Sequence, residues 1–333
     1  MKAIQFSDPG EPVDVLKCVS LDKPKPGPGE VLVRMIAAPV NPSDLMYIRG
    51  SYTVPANCPA SPGFEGVGIV ESSGGGLRGK LFTGKRVVVA NRKGGNWAEY
   101  TVVPADQVIP VNNGLSDEQA ATFLVNPATA WVMTQEVLKV GRGEWLLQTA
   151  AASSLGQMIV RLGKHVGFRT LNVVRREEHA ATLKSLGADS VIVFDGSKDA
   201  PEKLQQAVFQ ATGEKTVKKA IDAVGGTTGS AVIQSLGPRG HLLVYGTLSN
   251  QPLVFSPRTL MTHGSTVEGF WLGIHMAEKT LPGKLMLIRK ITQLIKSGVL
   301  GSSIRKTFPL EQVTDAVREA ENSQQGKVLL KIS

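Results

Sequence analysis

The sequence predicts an α/β protein in which a doubly wound parallel-sheet domain is inserted into a mainly β domain. Three observations carry that expectation. A strand, a tight turn of small residues, a helix and a second strand follow one another between residues 144 and 176. Strands and helices then alternate as far as residue 246, the pattern of a parallel sheet with helical crossovers. Residues 1–110 are rich in Pro, Gly and Val, and their β character returns at the end of the chain. A chain of 333 residues is long enough for two domains, each with its own core.

The stretch at 144–176 organises the rest. Trp145, Leu146, Leu147, Gln148 and Thr149 form a short apolar run of buried-strand type. Small residues follow at 150–154, then Gly156. From Gln157 the period changes, with Met158, Ile159, Leu162 and Val166 at helical spacing and Gly167 as a stop. Residues 170–174 are a second β-branched run. This is the βαβ unit of a Rossmann domain, which binds a dinucleotide with its pyrophosphate at the helix N-terminus. Of the usual G-x-G-x-x-G pattern only Gly156 is plainly present, so the context carries more than the pattern. The next strand ends in Arg175 and Arg176. An NAD site places a carboxylate there, whereas two guanidinium groups suit a 2′-phosphate, so NADPH is expected over NADH. The competing reading is two solvated arginines.

In order, residues 1–6 alternate like a strand, and 30–35 and 85–90 are strand-like. Clusters of Gly and Pro at 24–28, 59–63 and 74–76 punctuate them. Ser116 is a good N-cap, opening a helical stretch that runs towards Val140 and ends at Gly141, Arg142 and Gly143. After the βαβ unit, helices are expected at 180–186, 202–211 and 228–236, and strands at 190–193, within 217–224 and at 241–246. Beyond Phe255 the pattern is mixed, with a helix at 284–297 and a last strand at 325–331. The domain boundaries follow: residues 1–118 and 267–333 for the outer domain, 119–266 for the dinucleotide domain.

Composition narrows the class. No run approaches the roughly 18 apolar residues of a membrane helix. The opening residues show no apolar signal core and no Arg/Ser-rich leader, which predicts a cytoplasmic protein. Two cysteines, Cys18 and Cys58, argue against a disulfide scaffold and suit a reducing compartment. The net charge of +9 is spread among acids without a basic run, so nucleic acid is not expected as a partner. General solubility explains the charge, as would a polyanionic small ligand.

Several motifs together resemble the medium-chain dehydrogenase/reductase superfamily over essentially the whole chain. They are Asn41-Pro42-Ser43-Asp44, Pro62-Gly63-Phe64-Glu65-Gly66-Val67-Gly68, Gly94-Gly95-Asn96-Trp97-Ala98-Glu99-Tyr100 and Leu186-Gly187-Ala188-Asp189. Within it the chain is similar to mitochondrial-type trans-2-enoyl-thioester reductases, through Gly50-Ser51-Tyr52, Val125-Asn126-Pro127-Ala128-Thr129-Ala130, Leu171-Asn172-Val173-Val174-Arg175 and Gly269-Phe270-Trp271-Leu272. Quinone reductases of the superfamily share several of these singly. The zinc-dependent branch needs a catalytic Cys and a His on zinc and a four-cysteine lobe. Here positions 41 and 64 are Asn and Phe and only two cysteines exist, so no metal is expected. The five histidines show no pairing at ligand spacing.

The resemblance implies a Rossmann domain inserted in a GroES-like catalytic domain. It implies reduction of the C2=C3 bond of an enoyl thioester, carried on CoA or acyl-carrier protein, within fatty acid metabolism. Tyr52 matches the proton donor, with Tyr47 nearby as a core residue. Asn126 would contact the nicotinamide side; Ser153, Ser154, Leu155 and Gly156 would cradle the pyrophosphate; Arg175 and Arg176 would hold the 2′-phosphate. Tyr245, Gly246, Thr247 and Leu248 would line the nicotinamide ribose. Phe270, Trp271 and Leu272 would flank the nicotinamide and acyl site, their other reading being a buried apolar strand, and Lys327 would reach the cofactor. A homodimer through the edge of the cofactor domain's sheet is also implied. The alternatives are an NADPH:quinone or alkenal reductase on the same scaffold and a non-catalytic NADPH- or RNA-binding protein.

Overall fold

The computed structural model describes residues 1–111, 114–322 and 326–333. The chain divides into two compact units, Met1–Val125 with Gly301–Ser333, and Asn126–Leu300.

The first unit is the GroES-like domain. Its seven-stranded sheet runs in the order Ile304–Pro309, Lys327–Lys331, Glu30–Pro39, Glu65–Ser73, Arg86–Ala90, Val108–Pro110, with Tyr100–Pro104 also paired to Glu30–Pro39. Ile304–Pro309 and Lys327–Lys331 pair in parallel, and the other pairs are antiparallel. Val31, Val33, Met35, Val70, Val87, Val89 and Val103 close one core. A second core gathers Phe6, Tyr47, Ile48 and Trp97 with Val313, Val317 and Leu330 from the C-terminal segment. Chain ends far apart in sequence thus share one apolar interior. The last strand starts at Lys327; Gln325, with which the sequence reading began it, lies outside the described residues.

The second unit is the Rossmann domain. Six parallel strands lie in the order Ser190–Val193, Arg169–Val174, Trp145–Gln148, Val217–Asp222, Leu236–Val244, Thr266–Gly269. Residues Leu155–Ile159 and Leu162 of the helix Ser154–Val166 are buried, and Gly167 ends it in the left-handed conformation, φ 100°. The helix begins three residues before Gln157 because Ser153 caps it, its Oγ accepting the Gly156 N–H at 3.1 Å.

Two expectations are corrected here. The helical stretch towards Val140 is broken into Asp117–Ala121, Val125–Trp131 and a π-helical turn Val132–Val137. Pro127 is the physical reason: it lacks an N–H and is tolerated only in a first turn, so a new helix starts around it. The helix read at 228–236 ends at Gln234, and Leu236 already belongs to a strand that closes at Val244. The units divide after Val125 and Leu300, where the sequence reading divides after 118 and 266. Thr266–Gly269 extends the parallel sheet, and the helix Leu281–Lys296 lays Lys290 over the Trp131 ring, 5.3 Å from its centroid.

Candidate active site

In the Rossmann unit the strand order reverses between Trp145–Gln148 and Val217–Asp222. At such a switch point the crossovers leave in opposite directions and open a crevice at the carboxyl ends of the strands. Four groups expected from sequence follow those carboxyl ends: Ser153–Gly156, Arg175 and Arg176, Tyr245–Leu248, and Phe270–Leu272.

A Cβ on Gly156 would lie 2.5 Å from the Ala151 carbonyl oxygen and 2.6 Å from its Cα. Only glycine fits, and the helix therefore starts hard against the strand end. Ser154 and Leu155 fall in its first turn, where helix geometry supplies no acceptor for the N–H groups and the dipole is positive. The Leu155 side chain is buried, so what it offers a ligand is its backbone N–H. Arg175 and Arg176 are exposed at the end of the next strand, Arg176 pairing with Glu178 at 3.2 Å. A cradle that a single methyl would fill, a helix N-terminus and two exposed guanidinium groups fit a dinucleotide carrying an extra phosphate.

Residues 245–248 extend along the neighbouring strand end. Tyr245 N–H donates to the Asp222 carbonyl at 2.9 Å and Leu248 N–H to that of Ala223 at 3.0 Å. The Tyr245 hydroxyl is buried without a hydrogen-bond partner among the described residues, and burial pushes its pKa up, so it stays neutral. Sequence reasoning missed the pair beneath it. Asp222, fully buried, accepts the Thr149 hydroxyl at 2.5 Å and the N–H groups of Val224 and Gly225 at 3.0 and 2.8 Å. It ties the two strands on either side of the reversal. The visible signal was an acid at a strand end before Gly225 and Gly226.

The strand before Phe270 ends at Gly269, and Trp271, 38% exposed, caps the helix Leu272–Glu278. Residues 270–272 are thus a strand-to-helix corner, and the alternative of a buried strand does not hold. Asn126 is half-buried in the first turn of Val125–Trp131.

In the GroES-like unit Tyr52 lies half-buried in an irregular loop, its ring centroid 5.1 Å from that of Phe64 at a 41° tilt. Tyr47 is in the core, as expected, and meets Phe64 edge-on at 5.2 Å. Beside these residues is a buried ionic cluster, of whose members the sequence reading assigned a role only to Lys327. Asn41 precedes the helix Pro42–Ile48, and the Asp44 carboxylate accepts the Asn41 N–H at 2.8 Å and the Phe64 N–H at 3.0 Å. The Asn41 amide donates to Glu65 at 2.9 Å, and Glu65 also accepts the Val125 N–H at 2.9 Å. Lys327, expected to reach the cofactor, is itself buried and donates its ammonium to Asn41 Oδ1.

Two carboxylates and one ammonium out of water cannot all hold their ordinary affinities for protons. Burial pushes Asp44 up to about 7, against the pull of the Asn41 and Phe64 N–H groups. Burial likewise raises Glu65, opposed by the Lys327 ammonium, and lowers Lys327, opposed by Glu65 and Asp44. The signal in the sequence was Asn41-Pro42-x-Asp44, an N-cap, a first-turn proline and an acid at the third helical position. Among the described residues no three His, Cys, Asp or Glu side chains are placed to hold a metal ion.

Residues 27–113 match the family described as alcohol dehydrogenase GroES-like domain, and residues 154–286 the family described as zinc-binding dehydrogenase. The Bos taurus protein named mitochondrial enoyl-[acyl-carrier-protein] reductase is 30% identical over 93% of this chain and 83% of its own. The chain belongs to the medium-chain dehydrogenase/reductase superfamily, in its zinc-independent branch. It is an oxidoreductase. Among solved structures, one described as a putative NADPH:quinone reductase from Bacillus thuringiensis superposes with a TM-score of 0.89 at 33% identity, covering 100% of this chain and 99% of that one. The Etr1p complex with NADP and crotonyl-CoA gives 0.82 at 26% identity, covering 99% of each chain.

Proposed function

We propose that this chain is an NADPH-dependent reductase of trans-2-enoyl thioesters, acting on acyl-CoA or acyl-carrier protein in fatty acid metabolism. The observation that carries this reading is Tyr52, a hydroxyl on an irregular loop whose ring is seated on Phe64. The enoyl-reductase name of the Bos taurus relative supports it. The cofactor is NADPH, which when bound supplies a hydride to Cβ of the conjugated thioester. Negative charge then develops on the carbonyl oxygen, and hydrogen-bond donors must meet it. Tyr52 delivers a proton to Cα as general acid. Ser154 and Leu155 take the pyrophosphate on backbone N–H groups, Ser153 and Gly156 shape the cradle around it, and Arg175 and Arg176 take the 2′-phosphate. Asn126, Tyr245, Gly246, Thr247 and Leu248 hold the nicotinamide and its ribose, and Phe270, Trp271 and Leu272 wall the acyl side.

The protein acts as a homodimer. Thr266–Gly269 is an edge strand of the Rossmann sheet, and Met261, Trp271, Ile274, Leu285 and Met286 stand exposed on the segments that follow or flank it. Two exposed free cysteines, Cys18 and Cys58, suit a reducing cytoplasm. Light scattering at a single-chain mass would remove the dimer.

A second reading, an NADPH:quinone reductase, is favoured by the 33% identity of the Bacillus thuringiensis structure against 26% for the Etr1p complex. NADPH oxidation followed with crotonyl-CoA and with a benzoquinone separates the two. Turnover of the enoyl thioester that falls strongly in Tyr52→Phe, with NADPH affinity kept, supports the first; turnover of the quinone alone supports the second.

A further inference from the structure

The residues around Tyr52, 51–59, form no helix or strand and are mostly open to solvent. The Tyr52 ring lies against Phe64, 5.1 Å between centroids, so the hydroxyl is carried on a ring whose position Phe64 helps to set. Phe64 is itself held, through its backbone and through its ring. Gly63 before it has φ 100°, and a Cβ there would lie 2.5 Å from the Trp97 ring and 2.9 Å from the Trp97 nitrogen, so the backbone runs tight against Trp97. The Phe64 N–H is held by Asp44, and its carbonyl accepts the Asn91 N–H at 2.8 Å. Its ring is wedged against Tyr47, which meets Phe6 edge-on at 5.6 Å. Asp44 in turn is held by the Asn41 N–H, and Asn41 by Glu65 and Lys327.

We propose that Asp44 and Phe64 are positioning residues for the proton-donating step, Asp44 fixing the Phe64 backbone and the Phe64 ring orienting Tyr52. The inference rests on the reading of Tyr52 as proton donor. Its chemistry is that of preorganisation: a donor displaced by about 1 Å loses about 100-fold in rate. The charged groups facing Asp44 are Glu65 and Lys327, and both are bonded to the Asn41 side chain. Through Asp44 the cluster anchors the backbone of the phenylalanine.

The test uses the whole protein with NADPH and crotonyl-CoA. Turnover, NADPH affinity by fluorescence titration and Tm are measured for Tyr52→Phe, Phe64→Leu, Phe64→Tyr, Asp44→Asn and the double variant Tyr52→Phe/Phe64→Leu. Phe64→Leu is expected to lower kcat about ten- to hundredfold with NADPH affinity unchanged. Phe64→Tyr, which restores a ring, is expected to recover most of that loss. The double variant is expected to be no slower than Tyr52→Phe alone, because a misplaced phenylalanine ring costs nothing further once the hydroxyl is gone. Losses that multiply in the double variant, or Phe64→Leu at wild-type turnover, overturn the positioning role while Tyr52→Phe remains slow. Wild-type turnover in Tyr52→Phe overturns the proton-donor reading itself and the inference with it. Should Asp44→Asn not fold, the Phe64 variants decide alone.

Discussion

The side-chain amide of Asn41 donates to the Glu65 carboxylate at 2.9 Å, joining the N-terminus of one helix to a strand 24 residues further on. Lys327, from the last strand of the chain, closes the other side of the same amide. Three segments distant in sequence are thereby locked by groups that water cannot reach, and several consequences can be measured.

Lys327→Met removes the ammonium that acts on both Asp44 and Glu65. Breaking a buried ion cluster from one side typically costs about 3–5 kcal/mol, because the remaining charge is stranded. Urea unfolding of Lys327→Met should show a loss of that order, and adding Glu65→Gln should return part of it. Stability equal to wild type would mean the cluster is hydrated and carries little.

The pKa of Asp44 gives a sign to the pH dependence. Its carboxyl lies at about 7 in the folded protein against an ordinary 3.8, so the folded state binds its proton more tightly than the unfolded chain. This contribution to stability is complete below the ordinary value and is lost as pH rises through 7. In Asp44→Asn the fall of Tm between mildly acid and mildly alkaline pH should flatten, although Tm itself is lower because only one of the two backbone N–H acceptors survives. An unchanged slope would assign the titration elsewhere.

Gly156→Ala places a methyl on the Ala151 backbone, which has no flexible end to yield. Overpacking of this kind costs about 1–3 kcal/mol. The helix start must shift, and NADPH affinity should fall together with Tm; an alanine variant that binds normally would show that the turn has slack.

Arg175→Ala should weaken NADPH far more than NADH, since a charge-assisted hydrogen bond is worth about 1.5–3 kcal/mol and NADH lacks the phosphate that accepts it. Stability should hardly change, because the side chain is exposed. Parallel titrations with the two cofactors check this, and equal losses would make Arg175 an ordinary surface residue.

Much of this protein is written locally. Helix Ser154–Val166 follows from Ser153, the spacing of Met158, Ile159 and Leu162, and Gly167, all within one short window. The Rossmann sheet follows from alternation of strand and helix, since parallel neighbours need a crossover and right-handed crossovers leave few topologies. Arg175 and Arg176 could be read as a phosphate site because a strand end fixes where they stand. Local signals failed where a residue acts on the chain in two ways. Pro127 broke the stretch that looked like one helix, and Leu236 left a helix to lead a strand.

By itself, then, the sequence determined the two-domain class and the capped turn that opens helix Ser154–Val166, because strand and helix periods and turn chemistry are properties of neighbouring residues. Only the tertiary structure decided that Lys327 is buried against Asn41, that Asp44 holds Phe64 under Tyr52, and that Asp222 braces Thr149. Those groups lie up to 286 residues apart. Their protonation and geometry depend on desolvation, and burial exists only once the chain has folded around them.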